Sequence, residues 1–258
     1  MGKHRPVGVT RTRACYIQRD TVSGVRTGGV LSAEEWEIIR LSLRVGAVST
    51  VAALPVAFAL AFTLARRDFP GRTLLDALVH LPLVLPPVVT GWALLLLFGR
   101  RGPIGHALEA CCGMVFAFRW TGAALAAAVM ALPLMVRAMR LSIEAVDTRL
   151  ENAARTLGAS PWRAFLTVTL PLSMPGILAA VALGFARSLG EFGATVSFVS
   201  SIPGETRTLP LAIYGAMQLP TGETQVLRLA LVSIALALAM LLLSELLLRR
   251  QPGRQHEL

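Results

Sequence analysis

The run 45–65 is uncharged and almost wholly apolar. Built as a helix at about 1.5 Å per residue it is roughly 31 Å long, enough to cross a hydrocarbon core of about 30 Å. Four more stretches read the same way. Residues 77–99 form a second span carrying Pro82, Pro86 and Pro87, and 120–136 a third, short but bracketed by Arg119 and Arg137, which can snorkel to the interfaces. Residues 164–186 form a fourth, interrupted by Pro171 and Pro175, and 229–248 a fifth, stopped by Arg249 and Arg250. A membrane helix tolerates such prolines where neighbouring helices or water satisfy the freed carbonyls. The expected fold is all-α: a polytopic membrane protein of about five transmembrane helices.

Composition agrees, with 54% hydrophobic and only 16% charged residues. A formal net charge of +10 raises the question of nucleic acid. Nucleic-acid binders interleave basic and aromatic residues, whereas here the arginines flank apolar spans, so none is expected as a partner beyond lipid. Over five spans, the loop after the first, the segment 137–163 and the C-terminal tail share one side and hold eleven basic residues, against six in the opposite loops. The richer side is expected to be cytoplasmic, with the tail 251–258, and the N-terminus outside. Residues 1–29 then sit awkwardly: they are basic, without an apolar run, and read as a disordered extension whose six further charges fall on the wrong side. That conflict places the expected true start at or near Val30.

Between the spans, Ser32 and Glu35 form a capping box for an interfacial helix with Trp36, Ile38, Ile39 and Leu41 on its apolar face. Residues 99–119 read as a turn-rich connection. Segments 192–204 and 208–222 are too short or too proline-broken for spans and read as re-entrant or surface pieces. Cys15, Cys111 and Cys112 have neither a paired framework nor metal spacing and are expected as buried or loop thiols. No metal site, catalytic cluster or GxxxxGK[ST] phosphate loop is present.

The stretch 147–171 is the longest polar interruption. Asp147 suits an N-cap, Ala153 and Ala154 favour helix, and Gly158 suits the left-handed residue that ends one. Ser160 and Pro161 then start a second helix at once. A small-faced helix held at a membrane surface can lie in another protein's groove. Asn152, Ala153, Ala154, Gly158, Val168, Leu170 and Pro171 resemble, in their spacing, the EAA loop of bacterial ABC importer permeases, the site that docks on the ATP-binding subunit. Two departures are present: the acidic position is Asn152, with Glu151 just before it, and Val168 stands for the usual isoleucine. Which of Glu151 and Asn152 makes the acidic contact stays open. HLPLVLPPVVTG at 80–91, FARSLGEFGAT at 185–195 and IPGETRTLP at 202–210 closely resemble molybdate permeases, and more loosely sulfate permeases. The resemblance covers 32–250. It implies a type I importer subunit of the MetI-like fold in the bacterial cytoplasmic membrane, moving an oxyanion delivered by an external binding protein. It further implies two copies of this chain with two ATP-binding subunits, ATP and magnesium being held on those partners and no cofactor on this chain.

Arg187 and Glu191 are four apart, on one helical face at the outer end of the fourth span, flanked by Gly190 and Gly193. They read either as a pathway gate, with Arg187 attracting a dianion, or as an ion pair ending a helix. His80 reads as an interfacial anchor or a proton relay, and the prolines of span two as a moving bend or a static kink. An ion-coupled secondary transporter would show mid-span acidic residues and inverted repeats, and a membrane enzyme clustered carboxylates or histidines; none is found. Within the leading class the alternatives are sulfate and tungstate.

Overall fold

The computed structural model describes residues 31–249, so the expectations for 1–29 and 251–258 lie outside the described residues. The chain is helical, with no strand among the described residues. Helix α1 (Ala33–Arg66) opens on the expected capping box: the Ser32 amide donates to Glu35 Oε2 at 2.7 Å and the Glu35 amide to Ser32 Oγ at 3.2 Å. Nothing between Leu41 and Val45 breaks the helix, so the separate interfacial helix is instead the first turns of one 34-residue element. Ile38 and Ile39 are accordingly buried against Leu209 and Leu229, not laid in an interface.

The second expected span is not one rod. Helices α2 (Arg72–Val84) and α3 (Pro87–Phe98) meet at a 114° bend. Pro82 stays inside α2, but the adjacent Pro86 and Pro87 supply no amide hydrogen, and Pro87 becomes the first residue of α3. The turn-rich connection contains a helix, α4 (Pro103–Cys112), begun by Gly102 and Pro103 and ended by Gly113 in the left-handed region. Cys111 and Cys112 are exposed at its end.

Helix α5 (Trp120–Glu144) runs two turns beyond the expected third span, because Arg140 in its last part is paired with Asp76 and Glu144. The polar stretch folds into α6 (Thr148–Thr156) and α7 (Pro161–Ala164), after which a π-helical turn, Phe165–Thr169, leads into α8 (Leu170–Leu189). Together 161–189 make one long apolar rod, so Pro171 does not break the fourth span. The Leu170 amide reaches back to the Phe165 carbonyl, and this wider turn gives the Pro171 ring room where an α-turn would clash with a carbonyl four residues back. The two short segments are α9 (Gly193–Val199) and α10 (Leu209–Met217), and α11 (Glu223–Arg249) closes the chain. Among the described residues, four helices are long and apolar enough to cross a membrane, or five passages if the bent α2–α3 pair is one.

Side-chain pairs fix which helix ends lie together. Glu34 with Arg207, Glu35 with Arg228 and Trp120 with Glu205 gather the starts of α1, α5 and α11 at one end. Arg44 stacks over the Trp120 ring there at 3.8 Å. Arg66 with Glu151 and Phe62 with Phe165 gather the end of α1 and the entry to α8 at the other. Helix α5 is the central rod, packed against α1 and α8 through small residues: Ala53, Ala57 and Ala61 on α1, and Ala123, Ala127 and Ala131 on α5. Lipid is as apolar as leucine, so such helices gain by close backbone approach and not by hiding from water. At Gly176 of α8 a Cβ would lie 2.1 Å from the Ser142 Cβ on α5. Gly176→Val is therefore expected to destabilise the bundle by about 1–3 kcal/mol, read as a lowered Tm of the detergent-solubilised protein.

Candidate functional site

Two constellations stand out, one at each end of α8. At the Glu151 end, Asp147 caps α6 by accepting the Arg149 amide at 2.8 Å. The helix ends with Gly158 at φ +92°, its amide donating to the Arg155 carbonyl at 3.0 Å, and the Ala159 amide to the Ala154 carbonyl at 3.1 Å. Those paired bonds are the Schellman arrangement, which needs a left-handed residue at the glycine. Ser160 accepts the Arg163 amide at 3.3 Å and Pro161 opens α7. The helix–turn–helix read from the sequence is the one that forms.

No residue of α6 is buried. Asn152, Ala153, Gly158 and Pro171 are exposed, while Ala154, Val168 and Leu170 are half-buried. Sequence reasoning missed the apolar side chains on this surface. Leu157 is 89% exposed and Trp162 69%, with Leu150 beside them, among exposed Arg149, Arg155 and Arg163. Two large apolar groups left in water on a short polar helix pair are the signal that could have found them, since such groups mark a surface another protein covers. Glu151 behaves differently from its neighbours. Its carboxylate turns into its own chain, where Oε1 accepts from Arg66 Nη2 at 3.0 Å and from the Thr169 hydroxyl.

At the other end, Glu191 sits in the break between α8 and α9, 3% exposed. Its Oε2 pairs with Arg187 Nη1 at 2.6 Å and its Oε1 accepts the Ala194 amide at 2.8 Å, capping α9. Arg187 keeps about a quarter of its side chain exposed. Gly190 ends α8, and Gly193 opens α9 hard against Pro87, the first residue of α3. The four residues named from the sequence are thus brought together, and the structure adds the bend of α2–α3 to them. His80 is anchored on α2, its Nδ1 2.9 Å from the Asp76 carbonyl, beside the pair that Asp76 makes with Arg140.

A bundle of apolar helices of membrane length, with a capped, uncovered helix pair at one end and a charged break at the other, has the form of a membrane component. Residues 53–251 match the model of the binding-protein-dependent transport system inner membrane component family, and the chain belongs to that family. It is 56% identical over 220 residues, 85% of this chain and 96% of the relative, to the molybdenum transport system permease protein ModB of Escherichia coli (strain K12). It is 38% identical over 222 residues, 85% and 76% of the two chains, to the sulfate transport system permease protein CysW of Synechococcus elongatus. Among solved structures, a bacterial ABC transporter involved in the import of the acidic polysaccharide alginate matches with a TM-score of 0.68 at 16% identity, covering 86% of this chain and 82% of that one, a likeness of fold.

A Cβ at Gly158 would meet no atom within 4 Å, so any side chain there is penalised through the backbone alone. Gly158→Val is expected to open the turn at a cost of about 1–2 kcal/mol and to speed tryptic cleavage at Arg155 and Arg163, while Gly158→Asn, which tolerates the left-handed region, stays close to the parent chain.

Proposed function

We propose that this chain is the permease subunit of an ATP-driven importer of molybdate. The observation that carries the reading is the 56% identity to a molybdenum permease across nearly its whole length, against 38% for a sulfate permease. The helices give the mechanism its parts. The uncovered face of α6 and α7 docks on an ATP-binding subunit, with Leu157 and Trp162 as apolar anchors and the arginines around them facing an acidic rim. One docking face per chain and two ATP-binding subunits per importer call for two copies, related by two-fold symmetry. ATP and magnesium stay on those subunits, and the chain itself is a transport subunit.

In this reading the docking end lies in the cytoplasm. The start of α1 and the Trp120 end face outward, towards a binding protein that delivers the anion. Closure of the ATP-bound pair moves α6 and α7, and the long rod from Pro161 to Leu189 carries that movement to the break at Glu191. There Arg187 offers positive charge to a dianion while Glu191 holds it in place and caps α9, so the gate reading and the helix-ending reading describe one arrangement.

Two measurements test this. Proteoliposomes holding the assembled complex and supplied with binding protein and ATP are expected to accumulate radiolabelled molybdate, with tungstate, a tetrahedral dianion of similar size, competing and excess sulfate leaving uptake unchanged; strong competition by sulfate would favour the sulfate reading. Removing Arg187 alone would strand a buried carboxylate, so the informative change is the double variant Arg187→Gln, Glu191→Gln, whose amide can still cap α9. It is expected to lower uptake with normal expression and co-purification of the ATP-binding subunit, and unchanged uptake removes the pair from the pathway.

A further inference from the structure

Glu151 lies at the head of the docking helix, yet its carboxylate points away from the docking surface. It accepts from Arg66 Nη2 at 3.0 Å and from the hydroxyl of Thr169, which is 1% exposed. The same Arg66 nitrogen donates to the Val146 carbonyl at 3.2 Å, just before the Asp147 cap. One carboxylate oxygen therefore joins three elements: the last residue of α1, the first turn of α6, and the π-helical turn that precedes α8. Thr169 is the last residue of that π turn. Around it Phe165 packs edge-on against Phe58 and Phe62 of α1 at 6.0 and 5.3 Å, and stacks on Trp162 of α7 at 5.4 Å. A π turn is a local irregularity that a shift of one hydrogen bond can move or erase, and it sits where the docking helices join the membrane rod.

We infer that Arg66, Glu151 and Thr169 form a transmission strut, positioning residues that convert displacement of α6 into movement of α1 and of the π turn at the base of α8. The inference rests on the docking role proposed for α6. Without the strut, α6 would be joined to the base of α8 through the Gly158 turn, α7 and its packing on the π turn, with no charged cross-link between them. With it, the docking helix is cross-braced to two membrane rods, and a push on Leu157 or Trp162 reaches both. The acidic side chain at the start of the docking motif thus serves the chain's own interior, leaving Asn152 on the outer surface.

The test separates transmission from docking. Thr169→Val removes only the hydroxyl, and Arg66→Gln removes the cation; either alone suffices should the other fail to fold. In proteoliposomes holding the complete complex, both are expected to retain co-purifying ATP-binding subunit and ATP hydrolysis, while molybdate taken up per ATP hydrolysed falls on the order of tenfold, within the usual span of a single coupling energy. Thr169→Ser, which keeps the hydroxyl, is expected to restore that ratio. An unchanged ratio in the Arg66→Gln, Thr169→Val double variant overturns the strut, as does a loss of uptake that only tracks loss of the ATP-binding subunit. Failure of the docking reading itself shows elsewhere: Leu157→Asp would then leave the ATP-binding subunit bound.

Discussion

Hydrocarbon offers no hydrogen bond to a backbone group that a helix leaves free, and several breaks in these helices meet that constraint with a proline or a side-chain acceptor. The Pro86–Pro87 break falls where two consecutive residues have no amide to satisfy, so the chain turns by 114° without stranding a donor. At the next break Glu191 supplies the missing acceptor for α9, and Ser42 of α1 accepts the Leu209 amide at the head of α10, at 2.7 Å. Ser32 and Glu35 do the same for α1. At these ends the acceptor is a side chain of another rod or of the helix's own loop, whereas α2 and α4 open on glycine and α3 on proline without one.

Given satisfied ends, the bundle is left to be held by close approach. Helix α5 carries alanines where it meets α1, and α8 places Gly176 and Gly184 against Ser142 and Met135 of α5. The two candidate sites stand at opposite ends of the Pro161–Leu189 rod: the uncovered helix pair α6 and α7 at its base, and the Arg187–Glu191 ion pair with its capping role at its tip. Short-range pairs tie this base to α1, through Glu151 with Arg66, and α2 to α5, through Asp76 with Arg140, and those pairs lie between helices far apart in the chain.

Local signals in the sequence were read where the physics is local. The capping box at Ser32, the αL glycine at 158, and the Ser160–Pro161 start each depend on a few consecutive residues, and each forms as expected. Readings failed where a distant neighbour decides. Residues 77–99 look like one apolar span because hydropathy does not register direction; the prolines mark a bend or kink there, but only the packing of α3 against α9 shows that it reaches 114°. The apolar run ends at Val136 because Arg137 follows it, yet the helix continues to Glu144, its last turns held by Arg140 paired with Glu144 and with Asp76, some sixty residues earlier. Leu157 and Trp162 stand out in the sequence as large apolar residues within a polar stretch, but their exposure is decided by what packs nearby.

What the chain determined by itself is its class and its parts: apolar runs of membrane length, a polar interruption with its helix caps, and motifs spaced as in its relatives. Periodicity, capping and hydropathy act over a few residues to a few turns, so they are written in the order of the residues. Spacing alone indicated the Ser32–Glu35 box and an Arg187–Glu191 pair; only the tertiary structure decided the remaining partners of the charged groups. It turned Glu151 inward to Arg66 and Thr169 while leaving Asn152 outside, and it made Glu191, the partner of Arg187, the cap of α9 as well. The reason is electrostatic: a carboxylate's role is set by which donors come within about 3 Å of it, and those donors are brought there by packing between helices.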